Sequence, residues 1–170
     1  FDMFPEAGAA FCAHDHIDSN GKIKFKKQPE SSAPCLLENW LLQIAEKQRI
    51  QYIAMVVKRS VYEHLGGFYG VIYGEDWEMW ARIAKHYPIA YTPENLAQYR
   101  EHNYSISNDS FVSGKNLKDI QSVIETIITY LPPTERKRIR SRARKNFAYY
   151  SINRRSYLWR TNPDIQPKYS

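Results

Sequence analysis

One stretch limits what this chain can become: Gly66-Gly67-Phe68-Tyr69-Gly70-Val71-Ile72-Tyr73-Gly74-Glu75-Asp76-Trp77-Glu78-Met79-Trp80-Ala81-Arg82. It holds four of the seven glycines. A flexible loop runs into a Glu-Asp pair, and the pair opens an amphipathic helix over Asp76–His86, with Trp77, Ala81 and Ala84 on one face and Trp80 and Ile83 beside them. A helix N-terminus favours a charged carboxylate by about 0.3–1 kcal/mol, so acids begin helices everywhere. A helix cap, however, does not need Gly66, Gly67, Gly70 and Gly74 in front of it. A glycine-rich loop lets a bulky ligand approach the backbone, and one carboxylate could then act as general base toward a hydroxyl.

The net charge of +6 conceals two unlike segments. Residues 1–134 carry 13 Lys/Arg and 16 Asp/Glu, whereas residues 135–170 carry 11 and 2. The basic character belongs to the tail and the body is mildly acidic. At 170 residues the chain fits one domain or a large piece of one. Beginning at Phe1 in mid-pattern, it is expected to be cut from a longer protein. Cys12 and Cys35 make no metal or redox spacing and suggest a reducing compartment. No apolar run approaches the roughly 20 residues of a membrane span.

The patterning predicts strands near residues 9–14, 22–27, 52–57, 89–91 and 96–100. Asn20-Gly21 marks a hairpin between the first two. Helices are expected over Cys35–Lys47, Arg59–Leu65, Asp76–His86 and Ser113–Leu131, and from Arg136 to about Asn153 beyond the Pro132-Pro133 break. In the last of these, Ile139, Ala143, Phe147 and Tyr150 form a stripe on a strongly basic helix. Such a helix can lie on an anionic membrane, meet nucleic acid, or pack by its stripe as a solvated outer helix. His14 and His16 share one face of a strand with Asp15 opposite, which reads as a polar strand end before it reads as a metal site. The Asn-x-Ser sequons at Asn103 and Asn108 are taken as chance in a non-secreted chain.

Three pieces in order, a helix ending in Gly66-Gly67-Phe68, then Gly74-Glu75-Asp76-Trp77, then Tyr99-Arg100-Glu101-His102, resemble the second half of a GT-A-fold family 2 glycosyltransferase. The resemblance runs over about Pro5 to Ser107. It implies an α/β fold, the C-terminal half of a nucleotide-diphospho-sugar transferase fold, with a mixed sheet, flanking helices and added C-terminal helices. Residues 1–110 would be the acceptor-side half, 111–160 a basic helical extension packed outside it, and 161–170 a loose tail. The implied activity is inverting transfer of one sugar from a nucleotide-diphosphate donor to a hydroxyl, in polysaccharide or glycoconjugate synthesis.

By the same resemblance Asp76 is the base and Glu75 orients the site. Gly66, Gly67 and Phe68 form the loop beside donor and acceptor. Trp77 lies next to the base, Arg100 could neutralise phosphate charge, and His102 is a metal ligand. The divalent cation, Mg²⁺ or Mn²⁺, would be held mostly by a nucleotide-binding half that this stretch lacks, since it has no Asp-x-Asp motif and a lone histidine holds hard ions poorly. The Gln-x-x-Arg-Trp motif of processive synthases is also absent: the chain reads Gln98-Tyr99-Arg100-Glu101-His102. Implied partners are the nucleotide-sugar, a glycan or lipid-linked acceptor, the missing half or a second copy, and a membrane surface met through residues 135–160; nucleic acid is disfavoured. The expected location is the cytoplasm or the inner membrane face. The alternative reading is a non-catalytic glycan-binding or membrane-docking module.

Overall fold

The apolar run after the Pro5-Glu6-Ala7-Gly8 turn forms the spine of a mixed sheet. The computed structural model describes residues 1–68, 70–101, 110 and 114–161. Strand β1 (Ala9–Ile17) pairs antiparallel with β2 (Ile23–Lys26) and with β4 (Met55–Val57), and parallel with β5 (Ile89–Arg100). β5 in turn holds the short β3 (Cys35–Leu36) antiparallel. The β1–β2 hairpin closes at Asn20-Gly21, where Gly21 takes a φ of 85° and Asp18 accepts backbone N–H groups from Asn20 and Lys22. The fold class is therefore α/β with a mixed sheet, as expected.

Several boundaries differ from expectation, each for a physical reason. The two strands expected at 89–91 and 96–100 are one strand that runs through Pro93. The β1–β5 register jumps from Cys12↔Thr92 to Ala13↔Asn95, so Pro93 falls in an irregularity where its missing N–H breaks no ladder bond. The helix expected from Cys35 starts only at Trp40 (α1, Trp40–Glu46), because Cys35 and Leu36 are drawn into the sheet and Asn39 turns the chain at φ 51°. The strand expected from residue 52 begins with a 3₁₀ turn, Tyr52–Ala54. The last helix, α5 (Pro133–Thr161), extends past both expected ends. The start of the helix expected at Ser113, the two sequons and residues 162–170 lie outside the described residues.

Between β4 and β5 come α2 (Arg59–Leu65) and α3 (Glu75–His86), and after β5 comes α4 (Lys115–Thr129). α3 is the central helix: every residue from Asp76 to Ile83 is buried. Trp77, Trp80, Ala81 and Ile83 share one core with Phe11 and Tyr91 of the sheet and Trp40 and Ile44 of α1. Ile120, Val123, Ile124, Ile127 and Ile128 of α4 enter that same core, as do Ile139 and Ala143 of α5. Full burial of an aliphatic side chain is worth about 1.5–3 kcal/mol, so this stripe binds α4 to α3 strongly.

The arginines of α5 are largely spent on fastening it. Arg138 and Arg142 both reach Glu46 Oε1 at 2.9 Å, and Arg140 and Arg144 meet Glu125 at 3.1 and 3.0 Å. Arg136 donates to the carbonyls of Leu131 and Thr129 at the end of α4. No helix among the described residues is long and apolar enough to cross a membrane.

Candidate active site

Gly74 starts the site. With φ 86° and ψ 12° it turns the loop into α3 in a conformation glycine adopts without penalty. Its carbonyl accepts the Glu78 N–H at 3.1 Å. The turn places Asp76 in the first turn of α3 with a side chain only 9% exposed. Oδ1 accepts the Trp77 N–H at 2.7 Å, and Oδ2 accepts the Gln48 side-chain amide at 2.8 Å. Among the described residues no cation pairs with this carboxylate. Burial, and after it the neighbouring charge of Glu75, push the Asp76 carboxyl up to about 7.

Gln48, Tyr73 and Trp77, the groups around Asp76, all line a cavity of about 300 Å³. Its walls come from distant parts of the chain: His14 and His16 from β1, Lys47 and Arg49 from the segment after α1, Phe147 and Tyr150 from α5. Period two on β1 turns both histidines inward, while Asp15 faces the other way and accepts from Asn95 at 3.1 Å. Burial, helped by Lys27 and His16, holds the His14 imidazole down at about 4, so it is neutral at pH 7. His16 Nδ1 meets Glu101 at 2.9 Å, and its ring stacks on Phe25. The His16 bond and then Lys24 keep the Glu101 carboxyl at about 2. The Tyr73 and Tyr150 hydroxyls are hydrogen-bonded to each other, and burial raises both phenols above their ordinary range.

The other candidate residues fall in different places. Glu75 is half-buried at the helix start. Trp77 is 2% exposed, donates from Nε1 to the Ile44 carbonyl at 2.6 Å, and offers part of its ring to the cavity. Gly66, Gly67 and Phe68 lie away from the cavity wall. Gly66 ends α2 with its N–H on the Tyr62 carbonyl at 2.8 Å, and the Gly67 carbonyl accepts from Arg82 at 2.9 Å. Phe68 packs against Tyr52, Tyr62 and Trp80. Arg100 donates to the carbonyls of Asp18 and Ser19, both at 3.0 Å, and so braces the β1–β2 turn. His102 lies outside the described residues.

Sequence reading passed over Gln48, Lys27, Lys47, Arg49, Tyr73 and Tyr150 as parts of this site. Tyr73 appears there only inside the glycine-rich stretch, and Tyr150 only as the last member of the α5 stripe. The two cysteines are free thiols, Cys12 buried and Cys35 half-buried. Among the described residues no three His, Cys, Asp or Glu side chains converge as metal ligands. What the arrangement can do is accept a proton at Asp76 from a group that displaces the Gln48 amide. No family model matches the chain, and no curated protein matches it.

Proposed function

We propose that this chain is the acceptor-side part of a sugar transferase of the GT-A type, with Asp76 as the general base. One observation carries the reading: a buried carboxylate is left without an ion pair beside a cavity, although the surrounding protein is rich in arginine and lysine. The order Gly66-Gly67-Phe68, Glu75-Asp76-Trp77, Tyr99-Arg100-x-His102 in the sequence supports it, as does an α/β fold built on a mixed sheet.

The acceptor hydroxyl takes the place of the Gln48 amide on Asp76 Oδ2. As its oxygen bonds to the anomeric carbon of the nucleotide-diphosphate sugar, the proton passes to Asp76. The bond from that carbon to the diphosphate oxygen breaks on the opposite face, and the nucleoside diphosphate leaves with the electron pair. A base that titrates near the working pH combines a useful ionised fraction with a strong pull on the proton. Donor binding belongs to chain beyond the residues described.

In transfer assays of the intact protein with nucleotide-sugar donors, Asp76→Asn is expected to lower the rate by about 10²–10⁴-fold. The wild-type rate should rise with pH through about 7 as the carboxyl ionises. A variant that retains the wild-type rate overturns the base assignment.

A further inference from the structure

The cavity beside Asp76 has a marked charge bias. Lys27, Lys47 and Arg49 line it, and among the described residues no aspartate or glutamate does. Lys27 and Arg49 share a single counter-charge: Glu30 lies 3.2 Å from Lys27 Nζ and 2.9 Å from Arg49 Nη1. Lys27 also donates to the Arg49 carbonyl, and burial lowers its ammonium below the ordinary range. Lys47, at the C-terminal end of α1, has no ion pair among the described residues. Even with Asp76 ionised beside it, three cations against two carboxylates leave the described wall with a positive excess. The remaining wall is amphipathic: Trp77, Phe25 and Phe147 offer ring surface, while Gln48 and Asn146 offer amides.

From this juxtaposition we infer that the acceptor is an anionic sugar unit, one bearing a carboxylate or a phosphate, whose charge is received by Lys47 and the Lys27–Arg49 pair while its hydroxyl meets Asp76. The inference rests on the proposed transfer reaction, and it names the acceptor class. A neutral sugar leaves at least one cavity cation without a partner. A charged sugar gains charge-assisted bonds in a partly desolvated site, where they are roughly twice as strong as neutral ones.

The test is direct binding to the 170-residue chain, followed by NMR shifts or calorimetry. The probes are glucose, glucuronate, glucose 6-phosphate and inorganic phosphate. At least one charged sugar should bind about tenfold more tightly than glucose, equivalent to 1.4 kcal/mol. The tighter of glucuronate and glucose 6-phosphate tells which anion is accepted. Lys47→Glu, at an exposed position whose substitution should leave thermal unfolding unchanged, should abolish the preference, and Lys27→Gln should weaken it. Asp76→Asn should preserve or increase it.

Equal binding of glucose and both charged sugars overturns the inference, and so does a preference that survives Lys47→Glu. Inorganic phosphate bound as tightly as glucose 6-phosphate overturns it too, because sugar recognition would then be missing. Each of these failures leaves the Asp76 assignment standing, since that is decided by the transfer rate of Asp76→Asn.

Discussion

Asp76 and Glu78 stand two residues apart on the same helix, both withdrawn from water, and the protein treats them in opposite ways. Glu78, 3% exposed, meets Arg82 at 2.9 Å and accepts the Tyr130 hydroxyl. Arg82 continues outward to the carbonyls of Leu65 and Gly67, at 2.6 and 2.9 Å. That side of α3 is a closed network tying the end of α2, the Gly66-Gly67 loop and α4 together. Among the described residues Asp76 has only the Gln48 amide and backbone N–H groups for company, and its carboxyl is pushed up to about 7. Buried charged groups that exist for architecture are as a rule paired. A carboxylate left short of a counter-charge is where chemistry is to be sought. Trp77, between them in sequence, separates a brace from the edge of the cavity.

The largest effect expected from breaking this comparison lies on the brace. Glu78→Ala strands the Arg82 guanidinium in the interior, and removal of one member of a buried pair typically costs about 3–5 kcal/mol. Urea unfolding should show that loss, and Arg82→Leu should show a similar one by orphaning Glu78. A loss below about 1 kcal/mol would mean that the pair behaves like a surface ion pair, and the contrast with Asp76 would collapse.

At Asp76 the sign reverses. The unfolded carboxyl ionises near its model value of 3.8, whereas the folded one holds its proton up to about 7. Between those pH values the unfolded state binds fewer protons, so stability falls as pH rises through the window and stays reduced above it. Asp76→Asn carries no charge to desolvate, and the Gln48 side chain can turn its oxygen toward the new amide. The variant should therefore be more stable than wild type at pH 8, on the order of 4 kcal/mol, and close to it near pH 4. Thermal unfolding across pH 4–8 reads this directly. A variant less stable than wild type throughout would place Asp76 among the braces.

The start of α3 was legible because glycine, then acid, then helical periodicity is a local pattern, and local patterns survive folding. The hairpin at Asn20-Gly21 was legible for the same reason. What stayed hidden depends on contacts between residues far apart in the chain. Lys27 ends a stretch that reads as a strand, yet its ammonium meets Glu30 and the Arg49 carbonyl at the cavity. Gln48 follows a helix end with no motif of its own, and only the packing of α1 on α3 brings it to Asp76. The basic run of α5 suggested a surface for anionic partners, but charge counting cannot see Glu46 and Glu125, which the fold carries to Arg138, Arg142, Arg140 and Arg144. Pro93 marked a break between strands because proline cannot donate, and a register shift against β1 removed the need for it to do so.

The smallest effects belong to the two glycines that flank the contrast. Gly66 has φ 78° and ψ 176°, a region almost confined to glycine, while Gly74 has φ 86° and ψ 12°, which other residues enter at a cost of about 1–2 kcal/mol. A Cβ on Gly66 would touch little, its nearest neighbour being Arg82 Nη1 at 3.8 Å; a Cβ on Gly74 would come within 2.8 Å of Ile120 Cδ1. Ile120 lines the cavity, and its terminal methyl can move aside. Gly74→Ala should therefore cost about 1–2 kcal/mol of stability and also displace the wall beside Asp76, lowering transfer along with stability. Gly66→Ala should cost at least as much, about 1–3 kcal/mol, through the backbone alone and leave anionic-sugar binding unchanged. Measuring unfolding and sugar binding on both variants separates the two glycines. If Gly66→Ala weakens sugar binding as much as Gly74→Ala does, the loop edge and the cavity act as one site, and the boundary drawn through Trp77 is misplaced.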